Sequence, residues 1–197
     1  KGYDDKMAAE ELLDYAEGDI FRIAQKRQRN DYAKIQDVLM KNLRIIDQAV
    51  QNKGQVIGLP TGFKQLDEKT SGLQPSDLII VAARPGMGKT AFALNIAQQS
   101  AVKAGASVLI FSLEMSQEQL GQRLIAMQAR VESEKLKKGT LDLKDWDRIN
   151  FALNELNNTK IVIDDTPGIS IMEMRNKCRR LKAEQGLDLI VVDYLQL

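Results

Sequence analysis

A glycine-rich segment near the middle of the chain, ARPGMGKT at residues 83–90, constrains the fold more than any other feature. It follows an apolar run at residues 77–82, predicted to be a strand, and precedes a helical pattern at residues 91–104. A turn of this composition at a helix start presents backbone N–H groups that converge on phosphate oxygens. The order strand, loop, helix therefore predicts a phosphate-binding loop for a nucleoside triphosphate.

The residue types in this loop suit ATP and Mg²⁺. Gly86 and Gly88 allow the backbone to approach the phosphates, Lys89 supplies positive charge, and the Thr90 hydroxyl is a natural magnesium ligand. The general pattern begins with glycine, but Ala83 is tolerated there if its backbone is extended. The alternative is a glycine-rich helix cap with an incidental lysine. The predicted nucleotide contacts are Ala83, Arg84, Pro85, Gly86, Met87, Gly88, Lys89, Thr90 and Ala91.

Two acidic residues are predicted to complete the site. Asp193 ends an apolar strand and would lie beside the phosphate loop, where it would hold Mg²⁺ together with Thr90. Glu114 follows the predicted strand at residues 107–112 and would orient the attacking water as general base. Alternatively, Glu114 is only a first-turn acid that favours the dipole of the following helix. The predicted catalytic residues are thus Lys89, Glu114 and Asp193.

The remaining pattern predicts an α/β fold. Strands are expected at residues 77–82, 107–112, 160–164 and 188–193, with helices between them. Ser116 with Gln119 forms a capping-box pattern, a helix is expected at residues 143–156, and Ser170 opens another that Gly186 closes. Alternating strands and helices predict a mostly parallel sheet with helices on both faces.

Two helices are predicted before this sheet. Residues 8–25 form an amphipathic pattern and residues 35–50 form another, which Asn52, Lys53 and Gly54 end. A polar break separates the first from the rest of the chain, so its apolar stripe is predicted to dock on a neighbouring subunit or domain. Because the chain stops just past an apolar strand, we expect it to be a fragment.

Composition excludes few functions. The 28 basic and 27 acidic residues give a net charge of +1, which neither requires nor excludes nucleic acid. The single cysteine, Cys178, cannot form an internal disulfide and is predicted to be a packed or idle thiol in a reducing compartment. No apolar run is long enough for a membrane helix, so we expect a cytoplasmic protein.

Two charged groups are not assigned to the site. Asp164 and Asp165 are expected to be turn or cap residues. The basic run Arg179, Arg180 and Lys182 is expected to form a solvated face, with nucleic-acid contact as the alternative.

Several motifs together make the chain resemble the bacterial replicative DNA helicases of the DnaB family, in the RecA-like group of phosphate-loop NTPases. They are TGFKQLDEKTSGL at residues 61–73, ARPGMGKT at 83–90, FSLEM at 111–115, DDTP at 164–167, KCRRLK at 177–182 and VVDYLQL at 191–197. In that family Ala-Arg-Pro before the loop is common, which accounts for Ala83. The resemblance implies a RecA-like ATPase domain in which Lys89 and Thr90 bind nucleotide and Mg²⁺, Glu114 activates water and Asp193 completes the metal site.

The resemblance also implies a domain order and partners. Residues 1–30 would be a linker-helix segment docking on the adjacent subunit, and residues 31–197 the first part of the ATPase domain. A homohexameric ring would translocate 5′ to 3′ on single-stranded DNA, with primase and a helicase loader as further partners. The primase-contacting domain would precede Lys1, and the DNA-binding loops and arginine finger would follow Leu197. The alternatives are a RecA-type recombination or repair ATPase and a nucleotide-binding assembly module.

Overall fold

The computed structural model describes residues 34–51 and 56–194. The chain divides into two compact units between Lys53 and Gly54. The predicted docking helix at residues 8–25 lies outside the described residues.

One helix of the first unit is described, α1 at Ile35–Gln51, and it confirms the second predicted helix. Its apolar side chains recur every three or four residues, as expected for an amphipathic helix. They are exposed to solvent, and the set comprises Ile35, Leu39, Leu43, Ile46 and Val50.

Between residues 56 and 194 the second unit alternates helices with three strands. In chain order these are α2 (Lys64–Thr70), α3 (Lys89–Ala104), β1 (Ser107–Ser112), α4 (Gln117–Ala129), α5 (Ser133–Lys138), α6 (Leu143–Asn157), β2 (Lys160–Asp164), α7 (Ile171–Gln185) and β3 (Leu189–Asp193). The strands form one parallel sheet in the order β2-β1-β3. No helix in the described ranges is long and apolar enough to cross a membrane.

The sheet is covered by helices on both faces, which confirms the predicted fold class. All six residues of β1 are buried, because its alternate side chains point to opposite faces. Val108 and Ile110 pack with Leu94 of α3 and Leu120 of α4 on one face. On the opposite face Leu109 and Phe111 form a core with Ile169, against which α7 packs through Met174, Cys178 and Leu181.

The helix boundaries follow the capping signals read from the sequence. Ser116 accepts a hydrogen bond from the Gln119 amide, and Ser170 does the same for Glu173, each within a complete capping box. Gly186 lies just past α7, as predicted. The helix expected at residues 91–104 begins two residues earlier, so Lys89 and Thr90 lie in its first turn.

The prediction of a strand at residues 77–82 is wrong. Within the described part of the chain these residues pair with no strand, and Leu78, Ile79 and Ile80 are exposed. Residues Ile79–Ala83 instead line, together with Leu189–Tyr194, a groove of about 340 Å³. An apolar run gives a segment the tendency to be extended, but a strand also needs a neighbour at hydrogen-bonding distance.

The TGFKQLDEKTSGL segment fixes the turn before α2, and Pro60 directly before it attaches that turn to α3. The buried Asp67 carboxylate accepts hydrogen bonds from the Thr61 amide at 2.8 Å, the Thr61 hydroxyl at 2.7 Å and the Gly62 amide at 3.2 Å. Ser100 of α3 donates to the Pro60 carbonyl at 2.8 Å. This segment therefore supports the helix that follows the phosphate loop.

Candidate nucleotide-binding site

The glycines of the loop adopt conformations that other residues rarely take. Gly86 and Gly88 have φ angles of 78° and 88°, in the left-handed region. A side chain built at either position would meet nothing within 4 Å, so the backbone conformation, and not crowding, requires glycine there. The loop residues from Ala83 to Gly88 are exposed, so a ligand can reach the loop. Within it the Met87 amide donates to the Arg84 carbonyl at 3.2 Å, and Pro85 has no N–H.

The loop leads directly into the N-terminus of α3. Its N-cap residue, Gly88, makes no side-chain capping hydrogen bond. The first amides of a helix lack partners within it and carry a partial positive charge. A phosphate at this position would accept those hydrogen bonds.

Asp193 contacts both residues that were predicted to act with it. Its carboxylate accepts a hydrogen bond from the Thr90 hydroxyl at 2.5 Å, across 103 residues of sequence. The Lys89 ammonium lies 3.4 Å from the other carboxylate oxygen. Asp193 is only 8% exposed, so this contact is formed in a partly shielded environment.

The oxygens of Thr90 and Asp193 suit Mg²⁺, a hard cation that prefers oxygen ligands. In residues 34–51 and 56–194 no group of three or more His, Cys, Asp or Glu side chains gathers to form a metal site. The two oxygens of Thr90 and Asp193 are compatible with a magnesium ion that takes its other ligands from waters and substrate phosphates.

Glu114 lies at the same edge of the sheet, in the segment that joins β1 to α4. The Leu113 amide donates to the Asp193 carbonyl at 2.8 Å, and the Ser112 hydroxyl donates to the Met115 carbonyl at 2.7 Å. The Glu114 side chain itself is exposed. It precedes the N-cap Ser116 by two residues, and the acid in the first turn of α4 is Glu118, so the interpretation of Glu114 as a first-turn acid is wrong.

Tyr194 is a neighbour of the site that motif reasoning did not single out. The Lys89 ammonium lies 5.0 Å from the centre of the Tyr194 ring, within cation–π range. The only signal in the sequence is its place in VVDYLQL, directly after Asp193.

The DDTP motif forms a turn and a cap, as expected. Asp164 accepts hydrogen bonds from the Thr166 amide at 3.0 Å and the Lys177 ammonium at 2.5 Å. Burial raises the pKa of Asp164, but the bonds from Lys177 and Thr166 outweigh burial and hold that pKa below its usual range. Asp165 accepts from the amide of Gln117, the first residue of α4.

Two further expectations concern α7. Cys178 is half-buried against the core formed by Leu109 and Phe111, which confirms that its thiol is packed, and burial raises the pKa of that thiol. Arg179 and Arg180 are exposed, Lys182 is exposed too, and Arg180 lies 3.9 Å from Glu184 one turn away, so this run forms a solvated face.

A parallel sheet, a glycine loop entering a helix, and a strand-end carboxylate in contact with the loop's lysine and threonine define the phosphate-loop class of nucleotide-binding proteins. Within that class, the family described as DnaB-like helicase C terminal domain matches residues 58–197. This chain belongs to that family. Membership implies nucleotide binding.

Several curated relatives match the whole chain. The replicative DNA helicase DnaC of Bacillus subtilis (strain 168) is 48% identical over 196 residues, which cover 100% of this chain and 43% of the relative. The replicative DNA helicase DnaB of Geobacillus stearothermophilus is 46% identical over 196 residues, with the same coverage of 100% and 43%. The chain therefore spans less than half the length of these relatives.

Two solved structures confirm the fold. The first is described as an ATPase domain and superposes with a TM-score of 0.75 at 32% identity, covering 84% of this chain and 58% of that one. The second, described as a DnaB-like replicative helicase and its interactions with primase, gives a TM-score of 0.70 at 29% identity, covering 90% of this chain and 42% of that one.

Proposed function

We propose that this chain is part of the ATP-hydrolysing motor of a replicative DNA helicase. The observation that carries the proposal is the contact of Asp193 with Thr90 and Lys89 at the carboxyl edge of the sheet. This contact joins two motifs that are far apart in sequence, inside a family match that spans both. The match favours a helicase over the recombination or repair ATPase considered above.

The phosphate loop would bind ATP through residues 83–91, using the Lys89 ammonium and backbone N–H groups, of which Pro85 has none. The open approach to Gly86 and Gly88 and the N-terminus of α3 support this role. Because Lys89 already lies beside a carboxylate, its ammonium is held at the mouth of the loop before nucleotide arrives. Lys89 would then exchange part of that contact for phosphate oxygens.

The two acidic residues would have different tasks. Asp193 and Thr90 would hold Mg²⁺, which neutralises charge on the phosphates. Glu114 would accept a proton from, or orient, the water that attacks the γ-phosphate. Its exposure at the sheet edge supports this role, because a water-activating group must be reached by solvent and substrate.

The whole protein is proposed to act as a homohexamer that moves 5′ to 3′ along single-stranded DNA in the cytoplasm. The names of the curated relatives support replication as its setting. Primase is a proposed partner because one structural relative is described with its primase interactions. A helicase loader and the docking of residues 8–25 on a neighbouring subunit are proposed from the family resemblance.

The first test measures nucleotide binding and Mg²⁺-dependent ATP turnover, with and without single-stranded DNA. The unchanged chain should bind ATP, and Lys89→Ala should lose both binding and turnover. Lys103→Ala is a matched control, since Lys103 is an exposed lysine in the last turn of the same helix. Equal ATP binding by the Lys89→Ala variant and the unchanged chain would contradict the proposed site.

A second measurement separates the motor from an assembly module. Sedimentation with and without ATP, together with unwinding of a forked duplex, reports assembly and strand separation independently. Strand separation supports the motor, whereas nucleotide-dependent assembly without turnover would support the module.

A further inference from the structure

We propose that Asp165 is a positioning residue that holds the segment carrying Glu114 in place. The proposal deepens the function proposed above and depends on it for the catalytic consequence. Its starting point is a contact between residues 48 positions apart: the Asp165 carboxylate accepts from the Gln117 amide at 3.0 Å and from the Gln117 side-chain amide at 3.3 Å.

Strand register explains why Asp165 reaches this place. Asp164, the last residue of β2, pairs with Phe111 of β1. Asp165, the first residue after β2, and Ser112, the last residue of β1, therefore lie at the same edge of the sheet. The connection from Ser112 to α4 contains Glu114.

The contact stabilises the start of α4, where backbone amides lack acceptors within the helix. The Gln117 amide is among the first of α4 and has no acceptor within the helix. Ser116 already accepts from the Gln119 amide, so Asp165 supplies an acceptor for a second orphan amide. Its negative charge also lies at the favourable end of the helix dipole.

The turn that carries Asp165 is itself fixed. Its neighbour Asp164 accepts from the amide and the hydroxyl of Thr166, at 3.0 and 2.6 Å. Lys177 of α7 donates to Asp164 at 2.5 Å and to Thr166 at 3.1 Å. Asp165 is therefore presented to α4 from a turn that these four hydrogen bonds restrain.

The Glu114 segment is consequently held by both strands that flank β1. On one side the Leu113 amide donates to the Asp193 carbonyl of β3 at 2.8 Å. On the other side Asp165, just past β2, holds Gln117. Glu114 is exposed between these two anchors, so the direction of its carboxylate depends on both. Misplacement of a catalytic group by about 1 Å can cost up to about 10²-fold in rate.

The test compares three variants of the chain. Asp165→Ala removes the acceptor, whereas Asp165→Asn keeps an oxygen that the Gln117 amide can reach. Asp142→Ala is the matched control, because Asp142 caps α6 by accepting from the Asp145 amide at 2.7 Å and takes no part in the proposed site. Hydrogen exchange of backbone amides and steady-state ATP turnover are measured for each variant.

In Asp165→Ala we expect exchange at residues 113–118 to accelerate at least about tenfold. We also expect kcat to fall about tenfold with the KM for ATP unchanged. Asp165→Asn should remain within about threefold of the unchanged chain in both readouts, because its oxygen can still accept from the amide. Asp142→Ala should accelerate exchange only at the start of α6 and leave kcat unchanged, although its unfolding midpoint falls.

Unchanged exchange at residues 113–118 in Asp165→Ala would overturn the proposal. So would a rise in KM without a fall in kcat, or an equal fall in kcat in Asp142→Ala. If the unchanged chain shows no turnover, the motor function fails for this chain, while hydrogen exchange still decides whether Asp165 orders the segment.

Discussion

Asp193 and Glu114 lie at the same edge of one sheet, yet the fold holds them in different ways. Asp193 is almost fully buried and is fixed by direct contacts with Thr90 and Lys89. Glu114 is exposed, and the contacts that fix it are made by the backbone and neighbours of its segment, Leu113, Ser112 and Gln117. A metal-binding acid can be held by the residues it will work with, whereas a water-activating acid must stay accessible and is positioned indirectly.

The largest effect is expected from Glu114→Gln, which keeps the shape of the side chain and removes its ability to take a proton. Turnover should fall about 10²–10⁴-fold. ATP affinity and the unfolding midpoint should not change, because the side chain is exposed. The control is Glu118→Gln, which changes an exposed acid in the first turn of α4 and should keep full turnover. A fall in ATP affinity in Glu114→Gln would show that Glu114 helps to hold the nucleotide. Glu114 and Asp193 would then not have different tasks.

Asp193→Asn should reduce turnover by about 10²-fold, since the metal loses a charged ligand. In contrast to Glu114→Gln, it should also shift the Mg²⁺ dependence to higher concentration. It should lower the free energy of unfolding of the ligand-free chain by about 1 kcal/mol through the weakened Lys89 and Thr90 contacts. Magnesium titration of turnover and denaturant unfolding measure these effects.

Asp188→Asn is the matched control for Asp193→Asn. Asp188 precedes the same strand at its opposite end and accepts from the Ser107 amide at 2.8 Å, a bond that asparagine can also accept. An equal shift in Mg²⁺ dependence in both variants would contradict the assignment of Asp193 as a metal ligand.

A smaller effect is expected from Lys177→Met, which leaves the Asp164 carboxylate without its cation. The loss should be about 1 kcal/mol in the free energy of unfolding, because the lysine is partly exposed and solvent screens the pair. The control is Arg180→Met, whose pair with Glu184 is exposed, spans 3.9 Å and is expected to contribute only a few tenths of a kcal/mol. Denaturant unfolding should therefore show a larger loss of unfolding free energy in Lys177→Met than in Arg180→Met. Equal losses would show that the Lys177–Asp164 pair contributes no more to stability than an exposed surface pair.

The smallest effect is a pH dependence of stability from Asp164. Its pKa is lowered in the folded chain, so its contribution to stability is present above the unfolded value of about 3.9 and is lost as pH falls through the folded pKa. In Lys177→Met burial is opposed only by Thr166, so the folded pKa of Asp164 should rise toward the unfolded value, and the acid loss should become smaller and end at a higher pH. Unfolding midpoints between about pH 2 and about pH 6 measure both curves, and coincident curves would contradict the role of Lys177.

Local patterns were sufficient for most of the fold. The strands at residues 107–112 and 160–164 and the caps at Ser116 and Ser170 were predicted, because short apolar runs and capping patterns depend on residues close in sequence. The strand at residues 77–82 was not correctly predicted, because apolar composition does not specify a pairing partner. The site roles of Lys89, Thr90, Glu114 and Asp193 remain predictions, although the structure brings three of them into contact.

The sequence by itself determined the phosphate loop, the glycines its turn requires, and the placement of an acid at the end of an apolar strand. Each depends on the chemistry of a few consecutive residues. Only the tertiary structure decided that Asp193 contacts both Thr90 and Lys89, that the Tyr194 ring lies beside the lysine, and that Asp165 reaches α4. These contacts depend on strand order and register, which align residues at least 48 positions apart and are set by packing of the whole sheet.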